Sequence, residues 1–246
     1  MICIVTDLDN TLVGNVSATQ EFNRNVLAWD GVVRLVYATG RSMLSARELQ
    51  VSAALLEPDY WITGVGSEIY QGMTIDRTWS DHLSHEWNRS ALWAIATQVS
   101  KEFPALSPQP EDTFNEHKIS FYLYGENAEK VLSILRGRIT ESGLAAQVIY
   151  SSREDVDILP IRCDKGLAMR YVMEKTGFDN TNTIVCGDSG NDIGLFKQHT
   201  LGIVVGNARS ELVEWCREFG GETVLFARSD CAAGILEGLA HFGVMK

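Results

Sequence analysis

The sequence predicts an α/β protein with a parallel-sheet core and an α+β unit inserted into it. Three observations carry this. Residues 2–66 alternate short apolar runs with stretches of helical period, the rhythm of a parallel sheet. Near Asp81 the rhythm breaks, and two amphipathic helices with a run of adjacent strands take over to about residue 157. At Asp164 the first rhythm resumes. The expected organisation is a Rossmann-like core made of residues 1–80 and 158–246, with 81–157 inserted.

The elements follow in order. Ile2-Cys3-Ile4-Val5 is apolar on both faces, as in a central parallel strand. Residues 10–18 read as a loop and 19–29 as a helix with Phe22, Val26 and Leu27 on one face, stopped at Gly31. A strand at 32–38 runs into Thr39-Gly40-Arg41-Ser42, and Ser42 is positioned to cap a helix over 43–55. Residues 60–63 form a third strand leading to Gly66-Ser67-Glu68, and 69–79 suggest a hairpin. In the insert, Leu83, Trp87, Leu92, Ile95 and Val99 predict one helix over 82–100. The Pro-rich stretch 104–110 is a loop, 118–124 a strand, 127–142 a helix ending at Gly143, and 146–151 and 155–159 two strands. Asp164 caps a helix that carries Lys165 in its first turn and ends near Gly177. A strand at 182–186 delivers Gly187-Asp-Ser-Gly-Asn-Asp192, followed by helix 191–197, strand 202–205, helix 209–219, strand 223–226 and helix 230–241.

Bulk properties narrow the function. A net charge of −11 argues against nucleic acid and anionic membrane surfaces as partners. An anionic substrate would need a metal or a few well-placed cations. The apolar runs fall short of the ~18 residues of a membrane helix. The amino terminus lacks a basic segment and cleavage signal, so a cytoplasmic location is expected. The five cysteines have no CxxC pair and read as small buried hydrophobes in a reducing compartment. Asn15-Val-Ser17 and Asn88-Arg-Ser90 match a glycosylation pattern that a cytosolic chain would not use.

The chemistry gathers at strand ends. Asp7 and Asp9 stand at the carboxyl end of the first strand, the edge where open α/β sheets bind ligands. Two hard oxygen donors so close together suit Mg²⁺, whether through both carboxylates or through one side chain and one backbone carbonyl, and one of the carboxylates can attack phosphorus. Asp-Leu-Asp-Asn is equally a turn sequence when taken alone. Thr39 alone reads as the lead into a turn, and Lys165 as a solvated surface lysine. Together with Asp188 and Asp192, all four pieces fall in order at the ends of predicted elements. They make the set that phosphoryl transfer through an aspartyl intermediate requires. Asp7 attacks, Asp9 acts as general acid and then general base, and Thr39 donates to a phosphoryl oxygen. Lys165 neutralises charge, Asp188 completes the Mg²⁺ shell, and Asp192 orients the metal or Lys165.

This ordered set resembles the haloacid dehalogenase superfamily over the whole chain. Asp7-Leu-Asp-Asn-Thr11 is similar to its first motif, Thr39 to its second, Lys165 to its third, and Gly187-Asp-Ser-Gly-Asn-Asp192 to its fourth. The resemblance implies metal positions at Asp7, Asp9, Asp188 and Asp192, and makes 81–157 a type 2 cap, an α+β lid. Within the superfamily, Ala38–Gln50, Glu57–Trp61, Gly64–Tyr70 and Val185–Phe196 resemble the sucrose-phosphate phosphatases. That resemblance implies a Mg²⁺-dependent hydrolase of sucrose 6-phosphate, a monomer, and a transient contact with a sucrose-phosphate synthase. With a chain ending near Lys246, no room is expected for the extra C-terminal domain of plant members.

Sugar contacts are expected from Gly40, Arg41 and Ser42 beside the second motif, from Gly66, Ser67 and Glu68 at the end of the third strand, and from Lys118 and Asn191. Glu68 and Lys118 read equally as a surface carboxylate and an edge-strand lysine. The tryptophans at 61, 79, 87 and 93 are candidates for stacking on a sugar, with Trp87 and Trp93 better suited to cap core. Two other functions stay open. One is a phosphatase for another phosphorylated disaccharide or glycoside, of trehalose, mannosylglycerate or glucosylglycerol. The other is a phosphosugar-binding partner of a synthase.

Overall fold

The computed structural model describes residues 1–29 and 32–244; the stop expected at Gly31 lies outside the described residues. Chain order runs β1 (Ile2–Thr6), α1 (Val16–Ala28), β2 (Val33–Ala38), α2 (Met43–Ser52), β3 (Tyr60–Thr63), β4 (Glu68–Gln71), β5 (Thr74–Ile75) and α3 (Arg77–Ser84). Then come α4 (Arg89–Glu102), β6 (Leu106–Pro108), β7 (Ile119–Leu123), α5 (Ala128–Glu141), β8 (Ala146–Ser151) and β9 (Asp155–Pro160). The chain continues with α6 (Lys165–Thr176), β10 (Thr183–Gly187), α7 (Ile193–Phe196), β11 (Leu201–Val204), α8 (Ser210–Phe219), β12 (Val224–Phe226) and α9 (Cys231–His241).

The larger sheet has the order β12-β11-β10-β1-β2-β3-β4-β5, parallel from β12 to β3 and antiparallel at the β4–β5 edge. β1 sits at its centre, where the strand order reverses, so its carboxyl end opens onto the crevice between the two halves. Both faces of β1 are buried, as its unbroken apolar run requires. Cys3 and Val5 share one core with Trp79 of α3, Met169 and Val172 of α6 and Leu212 of α8. Ile4 shares the core on the other face with Phe22 of α1, Ala46 of α2 and Ile235 of α9.

The second sheet has four antiparallel strands in the order β6-β7-β9-β8. Its strands alternate with period two. Ile119, Phe121, Val156 and Ile158 pack under α4 and α5 against Leu92, Val99, Leu132 and Leu135. The residues between them, Ser120, Tyr122, Asp155 and Asp157, point the other way, paired in register as Ser120↔Asp157 and Tyr122↔Asp155. One face of this sheet is therefore an apolar core and the other a polar surface.

Several boundaries differ from the sequence expectation. Helix α1 begins at Val16, inside the expected loop, because the Asn15 side chain accepts from the Ala18 amide. Asn88 does the same for α4 through Ala91. Both glycosylation-like tripeptides are thus helix caps. The single helix expected over 82–100 is two, α3 and α4, broken where Glu86 takes φ 64° and Asn88 restarts the next helix. Trp79, read as part of a hairpin, lies on α3, and its indole donates to the Gly66 carbonyl at 2.9 Å. The Pro-rich loop contains β6, an edge strand in which Pro108 is tolerated because an outer strand need not donate on its open side. Ser42 stands at the start of α2 but makes no capping bond.

Candidate active site

The polar floor of the crevice is assembled by four strand-to-loop transitions. β1 delivers Asp7, 5% exposed, beside the end of β10, where its amide donates to the Cys186 carbonyl. The Asp164 side chain caps α6 through the Leu167 amide, which fixes the next residue, Lys165. Lys165 is fully buried, and its ammonium donates to Asp7 Oδ1 and to Asp192 Oδ1, each at 2.7 Å. Asp192 Oδ2 accepts from the Asp188 and Ser189 amides at 3.0 Å, so both of its oxygens are engaged. Gly66 makes this assembly possible. At φ 99° its absent Cβ would meet the Asp164 carbonyl oxygen at 2.3 Å, so any side chain there would push the start of α6 away.

Electrostatics follow from burial. Desolvation drives the Asp7 carboxyl well above the usual range, opposed by Lys165 and aided by Asp192 and Asp188. Asp188 is pushed up to about 7 by burial and by Asp192, with Lys165 pulling the other way. Burial alone would lower Lys165, but Asp192 and Asp7 hold it above its ordinary value. Carboxylate oxygens of Asp7, Asp188 and Asp192 lie within 4.8 Å of one another, all three buried. Three converging carboxylates with one lysine leave the floor short of positive charge. That donor set fits a hard divalent cation.

Asp9 is turned outward, and Arg41 holds it with a two-pronged contact: Nε to Oδ2 at 2.7 Å and Nη2 to Oδ1 at 2.8 Å. Arg41, expected on the sugar, thus grips Asp9 first, and its own basicity is raised chiefly by that hydrogen bond. Thr39 is fully buried behind Gly40, and its Oγ1 accepts from the Arg41 amide at 3.2 Å.

Above the floor lies a cavity of about 540 Å³ lined by Asp7, Asp9, Gly40, Arg41, Ser42, Asp188 and Asn191 from below. From above it is closed by Gln109, Thr113, Lys118, Tyr122, Glu154, Asp155 and Asp157, the polar face of the second sheet and its loops. Lys118 is 4% exposed; its ammonium reaches Asp157 at 3.3 Å, the Thr113 carbonyl at 3.1 Å and the Gly40 carbonyl at 3.4 Å. Asp155 is pushed up to about 6 by burial, with Asp157 and Glu154 adding to it.

Of the expected sugar contacts, Gly40, Arg41, Ser42, Lys118 and Asn191 line the cavity. Gly66, Ser67 and Glu68 are engaged with protein partners instead. Ser67 Oγ accepts from the Asn115 amide nitrogen at 2.7 Å, Glu68 accepts from Thr63, and burial raises the Glu68 carboxyl. The tryptophans take packing roles. Trp61 is buried against Tyr37, and Trp93 lies against Phe114 and Phe121. The aromatic side chain on the cavity wall is Tyr122.

Sequence reasoning missed Thr11, whose hydroxyl donates to Asp188 Oδ1 at 3.1 Å, and Arg209, whose side chain lines the cavity and whose amide donates to the Asp188 carbonyl. Thr11 was visible as the last residue of the first motif. Arg209 had no local signal, because only the pairing of β10 with β11 brings it to Asp188.

Comparison with known proteins gives one family. A sequence model described as sucrose-6F-phosphate phosphohydrolase matches residues 1–243. The chain is 42% identical to the sucrose-phosphatase of Synechocystis, solved in complex with sucrose and phosphate, with a TM-score of 0.93 over 98% of each chain. It is 36% identical to sucrose-phosphatase 2 of Nicotiana tabacum, covering 98% of this chain and 59% of that protein. The chain therefore spans about three fifths of the length of the plant relatives it matches. It is also 28% identical to the mannosylfructose-phosphate phosphatase of Agrobacterium fabrum, over 97% of this chain and 96% of that one.

Proposed function

The chain belongs to the sucrose-6F-phosphate phosphohydrolase family, within the haloacid dehalogenase superfamily, and on that premise we propose that it hydrolyses sucrose 6-phosphate to sucrose and phosphate. The observation that carries this reading is the buried Asp7–Lys165–Asp192 chain with Asp9 beside it, beneath a polar cavity roofed by the second sheet. A binding-only partner of a synthase has no use for a nucleophile and an acid/base together.

Asp7 is the nucleophile. Lys165 holds Oδ1, which fixes the carboxylate and leaves Oδ2 to attack phosphorus. The bond from Oδ2 to phosphorus forms as the bond from phosphorus to the sugar oxygen breaks, and Asp9 gives its proton to that oxygen. Water then attacks the aspartyl phosphate, Asp9 takes the proton, and Asp7 is released with inorganic phosphate. Both Asp9 oxygens accept from Arg41, so giving up a proton in the first half requires that at least one of these bonds open. Thr39 Oγ1 accepts from the Arg41 amide, so its own proton is free for a phosphoryl oxygen. A divalent ion, Mg²⁺ in this reading, offsets the repulsion between Asp7 and the phosphate when bound. Asp7 and Asp188 would hold it. Asp192, with both oxygens engaged, would orient Lys165 and the Asp188 turn.

Residues 81–157 act as the lid and read the sugar through Lys118, Tyr122, Asp155 and Asp157. We further read the protein as a monomer of a reducing cytoplasm, where its five free buried cysteines would persist, with any synthase contact a transient hand-over. The second substrate to test is mannosylfructose phosphate, because the Agrobacterium relative is similar over nearly its whole length. The test is phosphate release from sucrose 6-phosphate, mannosylfructose phosphate and trehalose 6-phosphate at equal low concentration, with Mg²⁺ and with EDTA. The expected result is a kcat/KM for sucrose 6-phosphate greater by orders of magnitude, abolished by EDTA and restored by Mg²⁺. A larger value for either other ester would overturn the substrate and keep the chemistry.

A further inference from the structure

The roof meets the floor at a second place, away from Lys118. The tip of the β8–β9 hairpin, Ser151-Ser152-Arg153-Glu154, leans over the loop that carries Asp188 and Asp192. Ser152 and Arg153 both take φ 56°, a left-handed conformation disfavoured for residues with side chains. Contacts to the core hold the tip there. The Ser152 amide donates to Glu211 Oε1 at 3.0 Å, and Arg153 donates to Ser210 Oγ at 3.1 Å, both acceptors lying in the first turn of α8. Between them sits Gly190. A Cβ on it would meet the Tyr150 carbonyl oxygen at 2.9 Å and Glu211 Cγ at 3.1 Å. The hairpin, the turn bearing the floor carboxylates and Glu211 are thus stacked with no room to spare. Ser152, Glu154 and Asp155 line the cavity; Glu211 holds the first of them by its amide without forming part of that wall.

We propose that Glu211 is a positioning residue that docks the β8–β9 tip onto the floor, and so decides how strongly phosphate esters long enough to reach the roof are preferred over short ones. The proposal rests on the phosphatase reading above. A short ester needs Asp7, Asp9 and Lys165. A disaccharide phosphate also needs the wall that this tip carries.

Two measurements test it on the whole protein. The first is amide hydrogen exchange at 152–154, which needs no substrate. Glu211→Ala is expected to speed exchange at the tip about tenfold or more, while the β7 amides at 119–123 keep their rates. Glu211→Gln, which retains an acceptor oxygen, is expected to stay near wild type. The second is the ratio of kcat/KM for sucrose 6-phosphate to that for p-nitrophenyl phosphate. Glu211→Ala is expected to lower it about tenfold through KM, the scale of one hydrogen bond to a charged acceptor, with p-nitrophenyl phosphate within twofold of wild type. Unchanged exchange at the tip, or an equal fall for both esters, overturns the proposal. If the wild type hydrolyses p-nitrophenyl phosphate but no sucrose 6-phosphate, the substrate reading fails by itself, and the exchange rates still decide the role of Glu211.

Discussion

Two buried lysines stand beside aspartates, one in the floor and one in the roof. Lys165 in the floor is fully enclosed and has a carboxylate oxygen on either side at 2.7 Å. Lys118 in the roof is almost as enclosed, yet its one carboxylate stands at 3.3 Å and its other partners are two carbonyls at 3.1 and 3.4 Å. Short charge-assisted bonds fix a side chain, whereas contacts beyond about 3.2 Å are weak and easily exchanged. The floor is therefore set before a substrate arrives. The roof lysine is buried but loosely partnered, which lets a ligand hydroxyl take over one of its contacts. Chemistry and selection are divided between a rigid surface and an adaptable one.

The sharpest way to break this comparison is to remove the floor nucleophile. Asp7→Asn keeps size and packing and is expected to lower kcat by roughly 10⁴-fold or more for every ester, long or short. A residual rate within a hundredfold of wild type would deny Asp7 its role. Next comes Lys165→Met, which leaves Asp7 and Asp192 buried without their cation. Urea unfolding is expected to find a loss of about 3–5 kcal/mol, with kcat falling for both ester classes. An unchanged midpoint would mean that the pair is not enclosed as described.

Lys118→Met sharpens the contrast. Asp157 keeps its Ser120 hydrogen bond at 2.6 Å and so is not left without a partner. A cost of about 1–3 kcal/mol is expected, smaller than at Lys165, together with a rise in KM confined to the sugar phosphate. Equal effects at the two lysines would erase the distinction between floor and roof. The smallest effect is in pH dependence. Asp155 has a folded pKa of about 6, above the ordinary carboxylate value of about 4. The folded state thus holds a proton that the unfolded chain has already lost between these values, and stability falls as pH rises from about 4 through 6. In metal-free protein, Asp155→Asn is expected to flatten that decline, read as a Tm that changes less between pH 4 and 7 than that of wild type.

The two surfaces were not equally legible. Asp7, Thr39, Lys165 and Asp188 could be read because each follows an apolar strand or a cap within a few residues, and sheet topology gathers such ends without further information. The roof depends on register. Lys118 and Asp157 meet across β7 and β9, nearly forty residues apart in sequence, and an alternating strand does not announce which strand it will pair with. The break between α3 and α4 was hidden for another reason. Leu83, Trp87 and Leu92 keep helical spacing across it, and only the backbone reversal at Glu86 and the Asn88 cap divide the run. Arg41 lines the cavity, but nothing local told of its reach to Asp9, 32 residues away.

The bond between Lys165 and Asp7 joins residues 158 apart. On the ribosome that separation becomes time. At about 5–20 residues per second, Asp7 leaves the peptidyl-transferase centre roughly 10–40 s before Asp192 does. Throughout that interval the nascent chain displays its paired aspartates without the lysine that tames them and without the turn that steadies the lysine. The strand that will lie at the middle of the sheet must wait for a neighbour, β10, synthesised in the last third of the chain. Until then the most central strand keeps one side unpaired, a part in need of shelter from other chains.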